Sequence, residues 1–245
     1  MRFLLKISYD GSNYCGYQSQ PNLPTVQKYL EEALTKINDG KKTMIYATGR
    51  TDKGVHALCQ YAHADLDVNI TEKKLKRAMN SNLPADIHVI ETKQVQDSFH
   101  ARYNVLTKEY RYYINLGEYN PLERNYVFQY NYNLDIDKMN NAIKYYIGTH
   151  DYRAFVTENK EKENCVRTIY EASIKKLEND KLEIKFIGNG FLRYQVRNMV
   201  GLLIKVGENK INPEDIEQIL LSKDRTKSGK TAPAEGLYLI NVTYE

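Results

Sequence analysis

The apolar residues of this chain change period repeatedly along its length, from two to about 3.6 and back, which limits it to folds that pack helices against sheets. In "RFLLKISY" the residues Phe3, Leu5, Ile7 and Tyr9 alternate on one strand face, and Asp10-Gly11 breaks the pattern. After Pro24, Thr25 is placed to cap a helix whose stripe is Val26, Tyr29, Leu30, Ala33, Leu34 and Ile37, with Gly40 as its stop. A second strand is expected before residue 47, a third over "CQYAHADL", a helix over "TEKKLKRAMNSNL" stopped by Pro84, and a strand over "DIHVIETKQV". The same rhythm then returns. "TKEYRYYINL" reads as a strand and "DIDKMNNAIKYYIG" as an amphipathic helix, while "RTIYEASIKKLENDKLEIKFIG" reads as a hairpin turned at Glu178-Asn179-Asp180-Lys181. A long helix is expected from near Gly190, with Leu192, Val196, Met199, Leu203 and Val206 inward. A short helix capped by Asn212 with Pro213 in its first turn follows, and "GLYLINVTY" is the last strand. The expectation is an α+β chain of two successive units, residues 1–105 and 106–245, each a sheet covered by helices, with a cleft between the sheets as the natural place for a site.

Length and composition allow this. At 245 residues, with 42% hydrophobic and 27% charged residues, the chain can bury a full core and has no compositional case for long disordered segments. No stretch approaches the roughly 20 apolar residues of a membrane span, and the apolar run at the N-terminus is too short for a signal-peptide core, so a cytoplasmic location is expected. Cys15, Cys59 and Cys165 are odd in number and widely spaced, which suits reduced thiols; no metal site is expected. The net charge of +4 suits a polyanionic partner. Lys and Arg gather in "EKKLKRAM", "HARYNVLTKEYRYY" and "FLRYQVR", interleaved with aromatics in the last two, a chemistry that tracks phosphates and stacks on bases. The 21 tyrosines also suit half-buried strands.

Few motifs carry chemistry. "SGKTAP" lacks the glycine of a phosphate-binding loop, since Asp224 stands there, and Ala232-Pro233 follows where a helix is required. In "ATGRTDKGVHAL", Thr51-Asp52-Lys53-Gly54 taken alone is a polar turn. Arg50, or another arginine brought close in space, would keep Asp52 ionised, and a positioned carboxylate suits reaction at a sugar anomeric carbon. Arg193 and Arg197, four apart, share a helix face and read either as a solvated basic surface or as a source of that arginine.

"GRTDKGVHA" resembles the signature of the TruA-type tRNA pseudouridine synthases. "YDGSNYCGYQSQP", "SFHARYN", "KEYRYYI", "DYRAF", "VRTI", "VRNMVG" and "APAEGLYL" are similar to family blocks in the same order over nearly the whole length. The resemblance implies two RRM-like (ferredoxin-like) halves, antiparallel sheets flanked by helices, meeting at a central basic cleft. It also implies a homodimer that binds the anticodon arm of tRNA, with no cofactor and no metal. The implied reaction converts uridine to pseudouridine. Asp52 matches the catalytic aspartate, attacking ribose or base, and Tyr110 matches the tyrosine that stacks on the target base. Arg50 would hold the extruded nucleotide and Arg197 would pair with Asp52, while His100 and Arg102 would be RNA contacts. Tyr17 stands where the family usually has tryptophan, and the chain is short for the family; both bear on which uridines are chosen. The competing readings are a paralogue acting on another RNA and a non-catalytic RNA-binding protein.

Overall fold

The computed structural model describes residues 1–156 and 164–244, and within them the chain separates into two units, Met1–Leu106 with Leu239–Glu245, and Thr107–Tyr238.

In the first unit, β1 (Arg2–Tyr9) lies between β3 (His56–Asp65) and β4 (Ile87–Val95), antiparallel to both, with β2 (Ile45–Ala47) on the far side of β3. The alternation read from the sequence is what one face buries: Phe3, Leu5 and Ile7 are all but inaccessible, and Leu5 sits opposite Ala62 of β3 and Thr92 of β4. Two helices, α1 (Val26–Ile37) and α2 (Glu72–Asn82), pack on each other and on β2 and β4 respectively. The α2 cap behaves as its composition requires, Thr71 accepting from the Lys74 N–H. Thr25 is different. It occupies the N-cap position of α1 with extended backbone, but its hydroxyl makes no cap bond and is buried without a partner. The register of β1 against β3 slips between Ile7 and Tyr9, and such a bulge re-aims the side chains that follow it.

In the second unit, which holds β5 (Val105–Asn115) from Thr107 onward, the antiparallel order is β5, β9 (Lys181–Gly188), β8 (Val166–Lys176) and β7 (Gly148–Asp151), with the two-residue β6 (Phe128–Gln129) parallel to β5. The β8–β9 hairpin turns where expected, with Asn179 and Asp180 both at positive φ, as a tight twisted turn demands. Helix α3 (Ile136–Ile143), capped by Asp135, continues as a 3-10 turn through Tyr146. It meets α4 (Gln195–Gly207) closely enough that a side chain at Gly207 would strike Met139 Sδ at 2.7 Å. The fold as described is mixed α+β, with strands that pair mostly antiparallel.

Two boundaries differ from expectation. Helix α4 begins at Gln195 rather than near Gly190, because Tyr194 takes a left-handed conformation (φ 63°) and ends the preceding turn there. Leu192 is accordingly outside the buried helical stripe, which Val196, Met199, Leu203 and Val206 do form. Helix α5 (Asp215–Ser222) begins after Asn212-Pro213, yet Asp215 Oδ2 accepts the Asn212 N–H at 2.8 Å, the reciprocal half of a capping box around the expected cap. The final strand, β10 (Leu237–Tyr244), has its first two residues in the second unit and the rest in the first.

Candidate active site

The turn that carries Arg50 and Asp52 joins β2 to β3 and is braced from beneath. Its entry is fixed at Thr48, whose N–H donates to the Tyr61 carbonyl at 2.8 Å and whose hydroxyl lies 2.7 Å from Tyr244 OH. Gln60 Nε2 donates to the Gly49 carbonyl at 2.9 Å. At the centre, the Thr51 hydroxyl meets the buried Tyr9 OH at 2.8 Å, and the Thr51 carbonyl accepts the Tyr17 N–H at 3.1 Å. The turn closes with Val55 N–H donating to the Asp52 carbonyl at 3.2 Å, allowed by Gly54 at φ +79°. Gly49, by contrast, keeps an ordinary φ.

Two glycines of the β1–α1 loop press against this turn from the other side. A side chain at Gly11 would lie 2.0 Å from the Val55 carbonyl oxygen, and one at Gly16, itself at φ +94°, 2.9 Å from the Thr51 oxygen. The same loop is tied down by Gly11 N–H donating to His56 Nδ1 at 3.1 Å. Burial pushes the Tyr9 hydroxyl up to about 12, so it stays protonated and able to donate throughout the neutral range. The sequence places Tyr9 and Gln60 only as strand residues; the available signal was the inward face of β1 and a glutamine inside the otherwise apolar run Ala57–Ala62. On this support Thr51 is buried, Asp52 half-buried, and Arg50 and Lys53 exposed. The turn that carries this half-buried carboxylate is held through its backbone and through the neighbouring Thr51 hydroxyl, so the backbone of the turn is set before any ligand arrives.

His100 and Arg102 also belong to the first unit, on the segment after β4. The His100 N–H donates to Asn104 Oδ1 at 2.7 Å, and the Arg102 N–H donates to His100 Nδ1 at 3.1 Å, leaving the Arg102 side chain exposed.

Tyr110 and Arg197 lie in the second unit. Tyr110 faces Phe186 across β5–β9, is largely buried, and meets Phe191 edge-on with ring centroids 5.2 Å apart. Arg197, in the first turn of α4, donates from Nε to the Ala232 carbonyl at 2.8 Å, while the Ala232 N–H donates to the Arg197 carbonyl at 3.0 Å. Its guanidinium and that of Arg193 lie 5.3 and 5.0 Å from the ring centre of Tyr194; Arg193 precedes the start of α4, so the two do not share a helix face as expected but meet on one aromatic. Segment 230–232 comes this close because residue 201 is glycine: a Cβ there would be 2.0 Å from the Lys230 oxygen. Among the described residues no cluster of His, Cys, Asp or Glu could hold a metal ion, and no helix is long and apolar enough to cross a membrane.

The class of protein, an RNA-modifying isomerase, is given by comparison with known proteins. Residues 6–104 and 142–245 match the family model described as tRNA pseudouridine synthase, and the chain belongs to that family. It is 44% identical to the tRNA pseudouridine synthase A of Listeria monocytogenes, covering 100% of this chain and 99% of that one. It is 43% identical to tRNA pseudouridine synthase A 1 of Bacillus cereus, covering 99% and 98%, and 43% identical to the enzyme of Anoxybacillus flavithermus, covering 100% and 99%. Among solved structures, a chain of a Cbf5-Nop10-Gar1 complex overlaps 82% of this one and 45% of itself at 14% identity with a TM-score of 0.38, a likeness too slight to bear on the assignment.

Proposed function

We propose that this tRNA pseudouridine synthase acts on uridines of the anticodon stem-loop, with Asp52 as nucleophile on a nucleotide flipped out of the stack. In the reaction the bond from N1 of uracil to the ribose anomeric carbon breaks, the base turns, a bond forms from C5 to the same carbon, and the C5 proton leaves as N1 gains one. Substrate and product are isomers, so the balance needs no co-reactant. An anionic side chain in a polyanion-binding protein costs affinity by like-charge repulsion, and a protein that only bound RNA would have no use for one so firmly placed. The observation that carries the reading is the bracing of the Asp52 turn by Tyr9, Tyr17 and Gln60.

The other roles rest on the family resemblance. Tyr110 stacks on the target base and Arg50, exposed beside Asp52, holds the extruded nucleotide. Arg197 is the cation paired with Asp52, and His100 and Arg102 contact the RNA. The proposal takes with it the finer fold reading, two RRM-like halves with RNA in a basic cleft, and a cytoplasmic homodimer as the working unit. Its test is tritium release from a tRNA transcript labelled at C5 of uridine. Wild type is expected to release tritium and Asp52→Asn to release none above background while still binding the transcript. Full release by Asp52→Asn removes the nucleophile, and release only from RNA other than tRNA removes the substrate.

A further inference from the structure

The first unit carries a row of four π systems. Tyr46 of β2 and His63 of β3 are cross-strand partners and stack at 5.3 Å with 23° between their planes. His63 meets His100 at 4.6 Å, and His100 meets Tyr103 at 4.3 Å and 31°. The ends of the row are open: Tyr103 is 76% exposed and Tyr46 52%, whereas His63 is almost wholly covered. Tyrosines that exposed would be free to move on most surfaces, but the loop beneath them is anchored. Arg2 pairs in bidentate fashion with Asp65 at 2.9 and 2.8 Å, and its remaining nitrogen donates to the carbonyls of Asp97 and Phe99. His63 Nδ1 accepts the Ala101 N–H at 3.1 Å, just as His100 Nδ1 accepts that of Arg102. A ring nitrogen that accepts is not protonated, so both imidazoles are neutral in this arrangement and the row is uncharged.

We propose that this row is a stacking platform for an unpaired base of the RNA substrate, received on the exposed faces of Tyr103 and Tyr46, with Arg102 on the adjoining phosphate. The chemistry favours RNA over a protein partner. Flat π faces exposed at fixed height next to an exposed cation are the elements of sequence-tolerant single-strand binding, since every base has a π face and every linkage a phosphate. A protein interface of this kind would instead surround its aromatics with apolar side chains. The assignment rests on the tRNA reading above and extends it to a second contact, distinct from the nucleotide that reacts.

The test measures Kd of the full-length protein for an unmodified tRNA transcript across a series of salt concentrations. Tyr103→Ala is expected to bind at least about tenfold more weakly with the wild-type slope of log Kd against log salt, because stacking releases no counterions. Tyr103→Phe keeps wild-type affinity. Arg102→Ala lowers that slope by about one. Tyr46→Ala weakens binding in the manner of Tyr103→Ala, and circular dichroism confirms that each variant is folded. Wild-type affinity in both alanine variants overturns the platform, as does a change in sedimentation mass for Tyr103→Ala in place of a change in RNA affinity, which would make the row a protein interface. If the wild type itself neither binds nor modifies tRNA, the parent reading fails; if it does both while the tyrosine variants match it, the platform alone fails.

Discussion

Tyr110 and His63 show how burial sets what a substitution can report. Tyr110 was expected to present its ring to a base, and the ring is largely covered, packed edge-on against Phe191. Tyr110→Ala therefore removes core contacts as well as any stacking surface and should lower stability by about 3 kcal/mol or more by urea titration. Tyr110→Phe keeps the ring, and if the hydroxyl takes part in C5 proton loss it should slow tritium release with affinity for tRNA unchanged. His63 makes a pH prediction. Burial, then the charges of Arg2 and His100, push its imidazole down to about 4 from an ordinary value near 6.5. The unfolded chain takes up this proton below about 6.5 and the folded one only near 4, so between those values the unfolded state binds more protons and stability rises with pH. Protonating Nδ1 would also break the bond from the Ala101 N–H. Urea titrations at steps between pH 5 and 7 should show a loss of stability on acidification, with a slope of up to about 1.4 kcal/mol per pH unit that His63→Gln flattens. An equal slope in both proteins would assign the effect to other groups.

At the scale of elements, the β1–α1 loop and the β2–β3 turn behave as one construction. Gly11→Ala puts a methyl group 2.0 Å from a backbone oxygen of the Asp52 turn and must displace it. The control is Gly40→Ala, which unlike Gly11 is at positive φ (+80°) but has nothing within 4 Å, and which should cost only the conformational strain, about 1 kcal/mol. Gly11→Ala is expected to cost several times more in urea titration and to cut tritium release, and parity between the two would mean the turn adapts freely. This coupling is also where sequence reasoning stops. Period and caps located β1, α2, α3 and the β8–β9 hairpin because each of those signals is local. The start of α4 differs by more than a turn from expectation, since a left-handed conformation at a tyrosine is what no propensity records. Asp52 was legible as an ionised turn residue and became a nucleophile only through resemblance. Tyr9, Gln60 and Gly16 were silent, because what matters in them is a hydroxyl, an amide and an absent Cβ meeting a turn that for Tyr9 lies 42 residues and for Gly16 35 residues away along the chain.

For the whole molecule, net charge of +4 and a Lys/Arg total of 35 against 31 acids leave electrostatic attraction to RNA modest overall, so local basic groups must supply it. Affinity for tRNA should fall linearly in log Kd against log salt, with the same slope for wild type and Asp52→Asn, because phosphate contacts release counterions whether or not chemistry follows. A flat salt response would exclude phosphate contacts as the source of affinity.

Strand β10 has a consequence for how the chain is made. Leu239 and Val242 are buried in the first unit, and Tyr244 closes on Thr48 at the entry to the Asp52 turn, on the Ala101 carbonyl, and on the rings of Tyr61 and Phe99. On the ribosome these residues emerge only after all of 107–238, so the earliest part of the protein to be synthesised is among the last to be finished. The Asp52 turn acquires the bond from Thr48 to Tyr244 only when the second unit has already been made, and a chain that stops short in that unit carries Asp52 on a turn without that hydroxyl at its entry.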